Sequence, residues 1–310
     1  MRLVFLGTPE FAVPTLDACV AAGHEVAAVY TQPDRPKGRG QALAAPPVKQ
    51  AALRYGLPVR QPSKVRAPEV VEELRALSAA AMVVVGYGQI IPQAMIDLPP
   101  LGIINVHASL LPRYRGAAPI QWAIARGETR TGVTTMMIDA GLDTGAILLK
   151  AETGIGPEET ALDLAPRLAK LGAALLVETL EGLEQGRITP VPQNHAEATF
   201  APLLKREDGL IDWTAPASEI HQRARGFLPW PGVWTTFRGQ RLHVWRCRPA
   251  GIESSFVPGT LFSDGRRLLS VCGAGAALEL VEVQLEGRKR VSGADFLNGF
   301  RLHPGERLGL

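Results

Sequence analysis

The opening of the chain sets the strongest limit on its fold. Leu3 to Leu6, Phe11 to Ala22 and Glu25 to Tyr30 read as strand, helix and strand, with Gly23 placed where the helix must stop. A strand, a crossover helix and a second strand make a βαβ unit, which commits the chain to a parallel sheet covered by helices. The rhythm continues. Pro47 to Tyr55 and Pro68 to Leu77 are helical, Pro58 to Gln61 is an edge strand and Met82 to Val85 a central one. Pro92 to Ile96 is a short helix, Ile103 to Val106 a buried strand and Ala117 to Arg126 the helix after it. Thr131 to Ile138 and Ala146 to Lys150 add strands, and Glu158 to Gln185 is a long amphipathic helix ending at Gly186.

This pattern defines an α/β, Rossmann-like, mostly parallel sheet domain over residues 1–189. A proline-interrupted linker follows at 190–206, marked by Pro190, Pro192 and Pro202. The remainder, 207–310, changes character: a helix from Pro216 to Arg225, then short strands at Val233–Arg238, Gln240–Arg246, Gly259–Phe262, Leu268–Val271 and Ala277–Val283. Five short strands with glycine turns point to a small OB-fold-like β-barrel, closed by a capped helix from Ser292 to Phe300.

With 310 residues and 46% hydrophobic composition, two cores are affordable in apolar material. The longest apolar run, Ala79 to Val85, falls far short of the roughly 20 residues that span a bilayer. No membrane partner is expected, and an N-terminus without a signal-like apolar stretch points to the cytoplasm. Cys19, Cys247 and Cys272 are odd in number and lack metal-ligand spacing, so neither a disulfide framework nor a metal is expected. Charge is uneven: from Lys205 onward there are 15 Lys plus Arg against 11 Asp plus Glu, within a net +3 for the chain. An anionic partner for the last third would explain that split, although solvated basic faces are common.

Several chemistries drop out. Gly7-Thr8-Pro9-Glu10-Phe11 has no GxGxxG, and neither Gly86-Tyr87-Gly88 nor Gly38-Arg39-Gly40 supplies it. Walker, HExxH and GxSxG motifs are missing too. What stands out is Asn105 to Gln121, emerging from the strand at Ile103. Alternation points Asn105 and His107 to one side and Val106 to the other. An amide and an imidazole aimed at one point suit a carbonyl oxygen that becomes an oxyanion, hence direct acyl transfer without a nucleophile. A lone histidine is more often structural, so Asn105 is what favours the catalytic reading. Asp139-Ala140-Gly141-Leu142-Asp143-Thr144-Gly145 forms a tight turn in which either carboxylate could cap local amides. If that turn reaches the same strand end, Asp143 could orient His107, favour its charged form and accept a proton from an attacking amine. The loop from Thr31 to Pro47 carries Arg35, Lys37 and Arg39 between prolines and glycines, either a solvated loop or an arm that grips phosphates.

Taken together, Asn105 to Gln121, Asp139 to Gly145, Gly7 to Phe11, Thr31 to Gly40, Gly209-Leu210-Ile211-Asp212-Trp213 and Pro229-Trp230-Pro231-Gly232 resemble the methionyl-tRNA formyltransferase family over nearly the whole chain. Asn-x-His followed by Ser109-Leu110-Leu111-Pro112 is similar to the folate-dependent formyltransferases at large; Gln32 to Gly40 resembles the tRNA-acting branch. The resemblance implies formyl transfer from 10-formyltetrahydrofolate to the amino group of methionine on initiator methionyl-tRNA. It implies Asn105, His107 and Asp143 as catalytic residues. It places Ser109, Leu110, Leu111, Pro112, Gly86, Tyr87, Gly88 and Ile91 around the folate, and Arg35, Lys37 and Arg39 on the tRNA. No metal takes part, a monomer is expected, and the C-terminal barrel would hold the acceptor arm. The rivals are a sugar-nucleotide N-formyltransferase, a glycinamide ribonucleotide formyltransferase, a formyltetrahydrofolate hydrolase and a nucleic-acid-binding protein on a decayed enzyme scaffold.

Overall fold

The computed structural model describes residues 1–37 and 42–309. They form two compact units. The first comprises Met1–Pro119, Arg130–Gly154 and Ala165–Ala201; the second takes Ile120–Thr129, Ile155–Leu164 and the chain from Pro202 onward. The segment expected as a linker is thus divided, with residues 190–201 packed into the first unit.

In chain order the elements up to the long helix are β1 (Arg2–Gly7), α1 (Val13–Ala21), β2 (Glu25–Tyr30), β3 (Arg35–Lys37), β4 (Ala42–Ala44), α2 (Pro47–Arg54), β5 (Val59–Arg60), α3 (Pro68–Ala76), β6 (Ala81–Val85), α4 (Gln93–Ile96), β7 (Ile103–His107), α5 (Pro119–Ala125), β8 (Arg130–Met137), β9 (Ile147–Gly154) and α6 (Ala161–Glu184). The main sheet has the order β5, β2, β1, β6, β7, β8, β9. Its first five strands pair in parallel, as the βαβ rhythm requires. β8 then pairs antiparallel with β7, and β9 antiparallel with β8. Alternate residues Val4, Leu6, Met82 and Val84 bury one face against Val70, Val71 and Leu74 of α3. Each such side chain contributes about 1.5–3 kcal/mol relative to exposure.

The described residues on the two sides of the basic stretch are strands. β3 and β4 pair as an antiparallel hairpin, Arg35 opposite Ala44 and Lys37 opposite Ala42. At its base Asp34 accepts hydrogen bonds from Lys49 Nζ (2.7 and 2.9 Å) and Gln61 Nε2 (2.7 Å), which hold its carboxyl below the usual range.

The second unit contains α7 (Ala217–Gly226), β10 (Val233–Phe237), β11 (Gln240–Glu253), β12 (Leu261–Ser263), β13 (Leu268–Val271), β14 (Ala276–Leu285), β15 (Val291–Ser292) and α8 (Gly293–Gly299). The strands form an antiparallel sheet in the order β10, β11, β14, β13, β12, with β15 on β14. β11 outruns its expected end at Arg246. Register shifts after Val244, Arg246 and Pro249 let the strand continue past a proline that would otherwise stop it. Ser292 caps α8 as expected, its Oγ accepting the Asp295 N–H at 3.0 Å. Among the described residues no helix is long and apolar enough to cross a membrane.

Candidate active site

β7 places Asn105 and His107 on one side of the sheet and ends at His107. The Asn105 side chain is half-buried and makes no hydrogen bond among the described residues. His107 is buried, and its Nε2 lies 2.9 Å from the Tyr114 carbonyl oxygen. A carbonyl only accepts, so Nε2 carries the proton in that bond. The free nitrogen is Nδ1, and it faces the Asp143 carboxylate at 3.7 Å.

The two carboxylates of the 139–145 turn have different work. Asp139 Oδ1 accepts the Gly141 N–H at 3.0 Å and the Thr144 hydroxyl at 2.7 Å, the local capping expected of aspartate in a turn. Asp143, with a positive φ of 51°, turns its side chain away from its own loop; Oδ2 accepts the Gly116 N–H at 2.8 Å. The route is not the one expected. β8 runs antiparallel to β7 with Met137 opposite Ile104, so the turn leaves at the far end of β7 from His107. Asp143 nonetheless comes to the imidazole.

Nothing at this cluster offers a nucleophile. The Ser109 hydroxyl is buried and donates to the Arg113 carbonyl at 2.6 Å. Burial pushes the Cys19 and Cys272 thiols up to about 12 and raises Cys247 as well, so all three remain protonated at neutral pH. Among the described residues no group of His, Cys, Asp and Glu could hold a metal.

The residues assigned to the folate divide in two. Leu111 is buried, its N–H donating to Thr134 Oγ1 at 3.1 Å, while that hydroxyl donates to the Ser109 carbonyl at 2.7 Å. Ser109 and Leu111 therefore stiffen their loop from inside. Leu110 and Pro112 are half-buried. Tyr87 and Ile91 also lie in the core, although the Tyr87 carbonyl faces outward enough to accept from Thr8 Oγ1 (2.9 Å) and Gln32 Nε2 (3.1 Å). Gly86, Tyr87 and Gly88 line a cavity of about 730 Å³, shared with Thr8, Gln32 and Arg35. That volume suits a small-molecule group. Asn105, His107 and Asp143 do not line it; they sit over the neighbouring strand, since β7 pairs with β6.

Arg35 is exposed, with Nη2 donating to Gln32 Oε1 at 3.3 Å. The Lys37 side chain and all of Arg39 lie outside the described residues. In the second unit, Trp234 on β10 pairs with His243 on β11, Arg241 lies 4.5 Å over the Trp234 ring and Arg290 5.0 Å over Trp245. Interleaved indoles and guanidiniums form the kind of surface that nucleic acid favours.

Sequence reasoning missed Tyr114, Arg115, Gly116 and Gln193, which hold the cluster together. Gln193 is buried, and its Nε2 donates to the Asp143 and Gly145 carbonyls at 2.9 and 2.8 Å. The partners stand about 50 positions apart, beyond the reach of any local pattern.

The sheet with its antiparallel edge gives the α/β frame, and likeness to known proteins makes the chain a group transferase. Residues 1–180 match the formyl transferase family model and residues 203–301 its C-terminal domain. The methionyl-tRNA formyltransferase of Solibacter usitatus is 66% identical over 309 residues, covering 100% of this chain and 99% of that protein. That of Koribacter versatilis is 60% identical over 310 residues, with coverage of 100% and 99%. Among solved structures, the N-formyltransferase from Helicobacter canadensis in complex with folinic acid and dTDP-3-aminofucose has the same fold, with a TM-score of 0.67 at 16% identity over 90% of this chain and 98% of that one. The chain belongs to the methionyl-tRNA formyltransferase family.

Proposed function

We infer that this chain transfers the formyl group of 10-formyltetrahydrofolate to the free amino group of methionine on initiator methionyl-tRNA, by direct attack of the amine on the formyl carbon. The observation that carries the chemistry is His107 Nδ1 held 3.7 Å from the Asp143 carboxylate, on the side of β7 that also carries Asn105. The acceptor follows from the full-length likeness to the tRNA enzymes.

His107 does not act here as a neutral donor. With Nε2–H committed to the Tyr114 carbonyl, Nδ1 donates only in the imidazolium form. Asp143 supplies the counter-charge. Asn105 and imidazolium His107 then donate to the formyl oxygen as negative charge develops on it. The free amine attacks and gains positive charge as the new C–N bond forms, and Asp143 takes its proton, directly or through one water. As the bond from the formyl carbon to the folate nitrogen breaks, that nitrogen receives the proton held by Asp143, directly or through water, and tetrahydrofolate and formyl-methionyl-tRNA leave. No covalent enzyme intermediate is needed.

The cavity beside Gly86 to Gly88 is suited to one substrate's end group, and Arg35 with the hairpin, Lys37 and Arg39 would meet the tRNA phosphates. The basic, indole-bearing face of the second unit would hold the acceptor arm. A cytoplasmic monomer fits this reading. The test is to incubate the purified chain with formyl donor and charged initiator tRNA, release the amino acid and weigh it. Formyl-methionine is expected; free formate without it would make the chain a hydrolase.

A further inference from the structure

We propose that Arg115 and Gln193 are positioning residues for Asp143, making the stretch from Gln193 to Ala201 a built part of the active site rather than a connector. The proposal rests on the proton-accepting role inferred for Asp143.

Gln193 is fully engaged. Its Oε1 accepts from Arg115 Nε at 3.2 Å and Nη2 at 2.7 Å, while Nε2 donates to the carbonyls on either side of Thr144. The turn it grips is demanding. Asp143 occupies the left-handed region, and a Cβ at Gly145 would fall 1.9 Å from the Met137 carbonyl oxygen. A backbone so constrained keeps one shape only while its carbonyls are tied down.

Arg115 supports the same aspartate indirectly, through Gln193 and through the backbone that leads into Gly116. Its guanidinium is buried and is held by Gln193 and by His195 Nδ1 at 3.1 Å, both neutral acceptors. A buried cation met by neutral groups is a poor device for stability alone. Its backbone is laced to the extended segment 199–201: Arg115 N–H donates to Thr199 O at 2.9 Å, and Ala201 N–H to Arg115 O at 2.7 Å. The next residue, Gly116, carries the N–H that binds Asp143 Oδ2. Its φ is +117°, and a Cβ there would sit 2.7 Å from Ala201 O, so only glycine lets the chains close to this distance. The preceding residue, Tyr114, holds His107 through its carbonyl. Residues 114–116 therefore hold both members of the pair, and Gln193 locks Asp143 to them.

The test compares the full-length wild type with Gln193→Met, which keeps the length and removes every hydrogen bond, and Gln193→Glu, which keeps an acceptor for Arg115 but loses both donors to the turn. Both are expected to lower kcat by on the order of 10- to 100-fold, the scale of an ångström-level displacement at a reacting group, with KM for tRNA and donor little changed. Because the effect passes through Asp143, the double variant Asp143→Asn with Gln193→Met should be no slower than Asp143→Asn alone. If Gln193→Met does not fold, the ion-paired Gln193→Glu carries the comparison, with thermal melting as the control. Wild-type kcat in the folded Gln193 variants, or losses that multiply in the double variant, would overturn the proposal. Normal turnover in Asp143→Asn would instead remove the Asp143 role and this proposal with it.

Discussion

Replacing Asp143 by Asn isolates charge from shape. The Asn carbonyl oxygen can still accept the Gly116 N–H now held at 2.8 Å, so the turn keeps its anchor. What disappears is a negative charge 3.7 Å from His107 Nδ1. Unit charges at that separation attract by about 1 kcal/mol in water and about 4.5 kcal/mol at an effective dielectric of roughly 20. The two side chains are only 7% and 16% exposed, which places the pair nearer the second value. At 1.36 kcal/mol per tenfold, loss of that charge and of the proton acceptor should lower turnover by about 10²- to 10³-fold. Single-turnover formylation of charged initiator tRNA, with thermal melting alongside, reads both effects. A variant that melts like the wild type and formylates within about threefold of its rate would refute the assigned role.

Asn105→Ala should cost on the order of 10²- to 10³-fold in kcat, the usual scale for a lost oxyanion donor, and near-normal rates would remove it from the mechanism. Arg35→Ala should weaken tRNA use, leave donor binding intact and lower the salt slope of tRNA binding by about 1; equal damage to both substrates would mean a folding defect instead. Burial and the Arg225 guanidinium hold His221 below the ordinary histidine range, outweighing Glu158. The unfolded chain then takes up that proton first as pH falls, so unfolding free energy should be flat above about pH 6.5 and decline below it. His221→Gln should make the decline shallower, as measured by denaturant melts at several pH values; an unchanged slope would show that His221 does not contribute.

The sequence shows its regular layers and its most chemical residues, because both leave local marks. Alternation alone places Asn105 and His107 on one side, and the apolar runs of β1 and β6 announce a buried sheet. Its choice of Asp143 over Asp139 has no local support: both sit in the same turn, and the difference lies in contacts to Gly141 in one case and to Gly116 in the other. Nor could it place the antiparallel turn of β8, since strand direction depends on where the intervening chain travels. Gln193 was hidden for a further reason. Prolines at 190 and 192 give the look of a linker, while its side chain reaches Arg115 at a separation of 78 positions. The β3–β4 hairpin was masked by a composition that reads as loop.

A carbonyl-activating site that serves an aminoacyl-tRNA must choose that amine over others. One competition measures it: a mixture of charged initiator tRNA, charged elongator tRNA and an amino-sugar nucleotide, with limiting formyl donor and product analysis by mass. The formyl group should go to methionine on the initiator tRNA. Preferential formylation of the amino-sugar nucleotide would contradict it.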